Sequence, residues 1–282
     1  MINPKLAESI LSNIAELPPM PASIAALLEM FLEEDSLSAV KVEKIISTDQ
    51  SLTMNVLKLC NSAFFGLRQE VSSIKQAASL IGFKALKALA LGSFVQHITD
   101  RELDGYLIER GGLWGHSLSV AGGSRLIAER YLKGFEDTAF TAGIVHDIGK
   151  IIMSNYLQKE FAEIVSLIKK NNIPFHEAEK RRCGITHAEI GQMIAERWKL
   201  PNILIDVIRN HHSPQNAIIN KQLVSIVHIS DSVSEILGIT EGIDSANMNI
   251  DEGAVSSLNI DKAEYEDLIK RLTNLMLFPE QR

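Results

Sequence analysis

The sequence predicts an all-α, multi-helix protein. Apolar residues recur at helical spacing in nearly every segment, and the segments are separated by proline, glycine and helix-capping residues. No stretch alternates apolar and polar residues as a half-buried strand would.

The elements follow in order. Residues 5–17 set Leu6, Ile10, Leu11, Ile14 and Leu17 on one stripe, the pattern of an amphipathic helix. Leu17-Pro18-Pro19-Met20-Pro21 breaks the chain, and Pro21 suits the first turn of a second helix running to about 33. A third is expected over 38–47, and a fourth starts after Asp49 as N-cap, with Leu52, Val56 and Leu59 facing inward. Residues 61–66 end it. Ser72 or Ser73 starts the next helix, Gly82 closes it, and 83–97 forms another.

Residues 98–106 are charged and carry a glycine, which places a weak boundary there. The expectation is a helical subdomain over 1–105 and a second over 106–282, the two sharing one core. In the second, helices are predicted over 113–131, from 137 through His146-Asp147, and over 158–170, 175–182, 187–198, 202–210, 223–237 and 263–275. Residues 238–253 read as a mobile or irregular loop.

Composition narrows the function classes. With 282 residues, 46% hydrophobic and 22% charged, the chain can bury a sizeable core. A net charge of −7 argues against non-specific nucleic-acid binding. The one strong basic cluster, Lys180-Arg181-Arg182, follows Glu177 and Glu179 and reads as a solvated helix end. No signal peptide or membrane span is visible: 85–95 is apolar but short and interrupted by Lys87. Cys60 and Cys183 form no CxxC, so neither a disulfide framework nor a thiolate metal site is expected, and a reduced, cytoplasmic setting is the simplest reading.

Chemistry concentrates around Ile144-Val145-His146-Asp147-Ile148-Gly149-Lys150. Imidazole and carboxylate together suit a divalent cation. Adjacent residues on a regular helix point about 100° apart, so His146 and Asp147 converge on one ion only near a helix end or kink, which Gly149 could permit. His116, His187, His211, His212 and Asp231 bracket the pair. Asp231 lies in a strongly apolar helical stretch, where a carboxylate is costly without a partner. Taken singly, His116 reads as a packed histidine, His187 as a helix start and His211-His212 as a surface turn. Pattern alone leaves the ordinary and the metal-binding readings both open. His97, His176 and His228 fall outside the set.

Several motifs resemble, in order and spacing, the HD superfamily of metal-dependent phosphohydrolases. They are Trp114-Gly115-His116-Ser117, His146-Asp147-Ile148-Gly149-Lys150, Thr186-His187-Ala188-Glu189-Ile190-Gly191, Asn210-His211-His212 and His228-Ile229-Ser230-Asp231. The first half resembles the HDOD family, the HD-related output domain of bacterial signalling proteins. That likeness rests on the proline motif at 17–21, Asp49-Gln50-Ser51-Leu52, the run 56–66 and Ser73-Ile74-Lys75-Gln76-Ala77-Ala78. The resemblance covers about residues 10–235 and implies a fully helical fold with a regulatory role.

HDOD members have often lost the HD ligands, whereas this chain keeps a full set. By resemblance to dinuclear HD-GYP enzymes, His116, His146, Asp147 and Asp231 would hold one ion. Asp147 would bridge to a second held by His187, His211 and His212. Gly112 stands where some relatives carry a glutamate for a third ion, and Ser213-Pro214 follows His211-His212 without a Gly-Tyr-Pro motif. Two ions (iron, manganese or zinc) and an unassigned substrate are therefore expected, with cyclic di-GMP hydrolysis disfavoured as the specific activity. Asp147 and Lys150 are the candidate catalytic residues. The two functional readings are a phosphohydrolase acting on a phosphoester or nucleotide, and a non-catalytic signalling adaptor with a structural or sensory metal that binds a protein partner.

Overall fold

The computed structural model describes residues 4–30, 36–62, 67, 69–239, 242 and 249–277. The described residues are helices and connecting turns with no strand; the one extended pairing is an isolated bridge between Leu103 and Ile108.

Helix α1 spans Pro4–Glu16 and buries Ile10 and Ile14; α2 spans Ala22–Glu29. Pro21 sits one position before α2 rather than inside its first turn, with an extended ψ of 143°. Helices α3 (Ser36–Thr48) and α4 (Gln50–Cys60) meet at Asp49, whose carboxylate accepts the Leu52 N–H at 3.0 Å as the expected N-cap. Most of 61–66 lies outside the described residues. Helix α5 runs Ile74–Thr99, capped by Ser73, and Gly82 interrupts it with φ 81° and ψ 165°. That left-handed φ is open to glycine at little cost, so Gly82 separates two helical pieces as its position predicts. By length and composition α5 could cross a membrane, but it is mostly buried among its neighbours.

Helices α6 (Gly112–Tyr131) and α7 (Glu136–Val145) follow, then α8 (Lys150–Asn171). Helix α8 begins well before the expected 158. Its first turns, Lys150 to Met153, carry no capping residue for the sequence to display, and all four are buried against other elements. Helices α9 (Phe175–Cys183), α10 (His187–Arg197), α11 (Asn202–Asn210) and α12 (Lys221–Ile236) stand within two residues of expectation. The predicted loop hid the start of a short helix, α13 (Glu252–Ser257), capped by Asp251; positions 240–241 and 243–248 of that loop lie outside the described residues. Helix α14 spans Lys262–Leu277.

Helix α5 is the shared wall. It packs against α2, α3 and α4 on one side and against α6 and α7 on the other. Buried apolar residues form a contiguous cluster from Ile10 to Leu275, and Phe94 of α5 meets Trp198 edge-on at 5.2 Å between ring centroids. Helix α6 packs on α7, α12 and α14, while α10 packs on α8 and α11. The ends of these second-half helices enclose the polar centre.

Candidate metal centre

Five elements and one turn contribute. His116 comes from α6, His146 and Asp147 from the turn after α7, and Lys150 from the start of α8. His187 opens α10, His211 and His212 follow α11, and Asp231 comes from the middle of α12. The turn is tightened by i to i+3 hydrogen bonds, with Ile148 N–H donating to Val145 O and Lys150 N–H to Asp147 O. Adjacent side chains converge there because the helix ends, as the spacing requires. Gly149 acts differently from expectation. Its φ of −67° is helical, so it supplies no kink. A Cβ at this position would lie 1.8 Å from His187 O, so the missing side chain lets α8 touch the start of α10.

Candidate ligand atoms fall into two groups, His116, His146, Asp147 and Asp231, and His187, His211 and His212. In the first, His116 Nε2 is 3.0 Å from Asp231 Oδ1 and 3.5 Å from Asp147 Oδ2, and His146 Nε2 is 3.2 Å from Asp147 Oδ2. In the second, His187 Nε2 lies 3.4 Å from His211 Nε2 and 3.0 Å from His212 Nε2. Asp147 faces both groups: its Oδ1 is 3.4 Å from His187 Nε2 and 3.6 Å from His211 Nε2. With metal–ligand bonds of about 2.1 Å, the edges of an octahedron or tetrahedron of donors are about 3.0–3.4 Å. The donor separations match such edges.

Hydrogen bonding separates the two nitrogens of most rings. His146 Nδ1 meets Gly143 O at 2.7 Å, His211 Nδ1 meets Ile208 O at 2.8 Å, and His187 Nδ1 meets Glu179 Oε2 at 2.8 Å. His116 Nδ1 lies 3.2 Å from Ser234 Oγ. These partners fix the outer nitrogens and leave each Nε2 for the interior, the arrangement found behind metal-bound imidazoles. Meanwhile His146 Nε2, Asp147 Oδ1 and Asp231 Oδ2 are buried without a hydrogen bond. Buried polar atoms left so are costly, and divalent cations held by the two groups would satisfy them. The residues fit a divalent metal.

Electrostatics divide the candidate ligands. Burial opposes ionisation of Asp147, but His146 and Lys150 hold its carboxyl well below the usual range; His116 and His146 do the same for Asp231. Burial pulls His146 down, yet the Asp147 and Asp231 carboxylates raise it to about 10. Burial and the neighbouring imidazoles keep His211 and His212 well below the ordinary value, hence neutral. Ionised carboxylates and neutral imidazoles are the states that bind metal, so Asp147, Asp231, His211 and His212 stand ready, whereas His146 would have to release a proton as an ion enters. Lys150 Nζ sits 2.6 Å from Asp147 Oδ2, a buried ion pair lying over the Tyr106 ring. The centre is closed: His116, His146, Asp147, Lys150, His187, His211 and Asp231 are each at most 2% exposed, and His212 is half-buried.

Every sequence-predicted site residue thus reaches the cluster. The excluded histidines have other roles: His228 bonds His211 O and accepts the Asp251 N–H, and His176 stacks on His212 at 4.3 Å. Sequence reading missed Glu179, Tyr106 and Ser234. Glu179 is fully buried and accepts the His187 backbone N–H at 3.0 Å and the Tyr106 hydroxyl. In the sequence it stands in a charged run and looks like a surface residue. The neighbouring cations are indeed exposed and ion-paired, Lys180 to Glu189, Arg181 to Glu177, and Arg182 to Glu160 and Glu163.

Known proteins resemble this chain in sequence and fold. An uncharacterized protein of Treponema pallidum is 28% identical over 244 residues, 83% of this chain; the chain spans about half of that relative's length (45%). An HDOD domain protein of Geobacter sulfurreducens superposes with a TM-score of 0.71 at 24% identity, covering 97% of this chain and 98% of that one. A candidate phosphohydrolase of Shewanella amazonensis does so with a TM-score of 0.63 at 26% identity, covering 94% and 98%. A candidate signal transduction protein of Marinobacter aquaeolei shares the fold, with a TM-score of 0.72 at 19% identity, covering 96% and 63%. The HDOD domain model matches residues 17–214, more than half of the chain, and with that match this protein belongs to the HDOD domain family.

Proposed function

We propose that this HDOD protein acts in signal transduction through a two-ion metal centre that hydrolyses a phosphoester or nucleotide. The carrying observation is that Asp147 turns one oxygen to each of two imidazole-bearing groups. His116, His146, Asp147 and Asp231 would hold one ion, and His187, His211 and His212, with Asp147 shared, the other; iron, manganese and zinc all suit this donor set. Two such ions supply Lewis acidity and a water of lowered pKa. The chain's own residues do the rest. Lys150 offers a buried ammonium as a point charge for a phosphoryl oxygen. Glu179 and the Gly143 and Ile208 carbonyls hold three rings in one tautomer.

A second reading keeps the metal but not the turnover: a signalling adaptor with a structural or sensory centre. The near-complete burial of the cluster favours it. Metal analysis of the purified protein should find about two ions per chain. Folded protein that takes up no divalent ion would sink both readings. A panel of phosphodiesters, phosphomonoesters and nucleotides with Mn²⁺ or Fe²⁺ should show turnover that Asp147→Ala abolishes. Metal retained with no turnover on any member would leave the adaptor.

A further inference from the structure

Away from the candidate metal centre, α1, α8 and α9 line a half-open groove of about 670 Å³. Small-molecule sites occupy roughly 300–1,000 Å³. Four of its lining side chains are cations, Lys159 of α8 and Lys180, Arg181 and Arg182 of α9, against the single lining carboxylate Glu160. With Glu160, the neighbouring Glu163, Glu177 and Glu189 balance these cations, so the groove gathers ammonium and guanidinium groups without a net positive charge. The α9 cations lean on carboxylates in pairs that are about one-third to two-thirds exposed, apart from the better-buried Glu189. Exposed pairs of this kind are weak, and an arginine fork released from one is matched to phosphate oxygens. Lys159 has no ion-pair partner among the described residues. Tyr156 and Asn13, bonded to one another across the α8–α1 seam, complete a polar wall.

We propose that this groove binds a small phosphate-bearing anion, its phosphates gripped between Lys159 on α8 and the Arg181–Arg182 pair on α9. The recognised unit is a diphosphate, free or carried by a nucleotide. Helix α9 shows these cations to the groove and Glu179 to His187. A ligand seated here therefore touches the element that holds a ring of the metal centre.

The test uses the full chain stripped of divalent ions, so that binding at the metal centre cannot contribute. Isothermal titration with pyrophosphate and with ADP should give saturable one-to-one binding that weakens as salt rises. Lys159→Glu combined with Arg181→Glu should weaken it at least tenfold. Both side chains are exposed, so the fold is expected to survive; should circular dichroism show otherwise, the Lys159→Gln, Arg181→Gln protein gives the same readout with a smaller loss. ADP binding tenfold tighter than pyrophosphate identifies a nucleotide, and equal binding a free polyphosphate. No saturable binding of either anion, or affinity unchanged in a folded variant, overturns the proposal.

Discussion

Glu179 takes three hydrogen bonds into one buried carboxylate, from the Tyr106 hydroxyl and from the His187 backbone and ring. Replacing it leaves His187 without the acceptor that sets its tautomer. Under the two-ion reading, Glu179→Gln should weaken binding at the His187, His211 and His212 group by about 10–100-fold while sparing the other group. After dialysis against limiting Mn²⁺, metal content should fall from about two ions per chain toward one; content matching wild type would show that Glu179 serves structure alone. Asp147 is harder to probe by stability. Removing it breaks a buried ion pair with the Lys150 ammonium 2.6 Å away, and breaking such a pair costs about 3–5 kcal/mol. Loss of turnover in Asp147→Ala is therefore interpreted only alongside a check of folding.

Helix ends do the positioning at the next scale. His146 and His211 use one device twice: each follows the last residues of its helix and bonds Nδ1 to the carbonyl three residues back. A helix terminus leaves carbonyls unpaired, so the ring satisfies one while aiming Nε2 at the centre. At α10 the device is a capping box: Thr186 Oγ1 accepts the Glu189 N–H and Glu189 accepts the Thr186 N–H. Because His187 is the first residue of this helix, the cap also anchors a candidate ligand. Thr186→Ala should cost about 1 kcal/mol in urea unfolding. Burial raises the Glu189 pKa, but Lys180 and the Thr186 N–H outweigh it and the native value is lowered. The sign follows: Glu189 stabilises the fold above its unfolded pKa of about 4.3 and loses that contribution as pH falls through the lowered native value. Wild type should thus exceed Glu189→Gln in stability at pH 7, the gap closing in acid. A gap that widens there would contradict the box.

Across the whole molecule, α5 carries apolar residues toward both halves, and the Phe94–Trp198 contact ties the first half to α10's end. We propose that residues 1–105 and 106–282 unfold together. Urea transitions followed by far-ultraviolet dichroism and by tryptophan fluorescence should coincide, and Trp198→Ala should destabilise by about 3–5 kcal/mol. Two resolved transitions would establish independent subdomains instead.

The sequence by itself determined the helical class, most helix boundaries and which residues to look for at the candidate centre. These are local matters: periodicity writes the buried face, Asp49 and Ser73 write their own caps, and imidazoles near glycine, proline and helix ends are visible as chemistry. Only the tertiary structure decided where α8 begins, why Gly149 lacks a side chain, and that Glu179 belongs inside. Each depends on a neighbour distant in sequence: His187 O crowds Gly149, and Tyr106 and His187 make a buried carboxylate of a residue that reads as surface charge. The division of Asp147's two oxygens between two groups is likewise a matter of three-dimensional approach. Periodicity records which face is buried, not what that face meets.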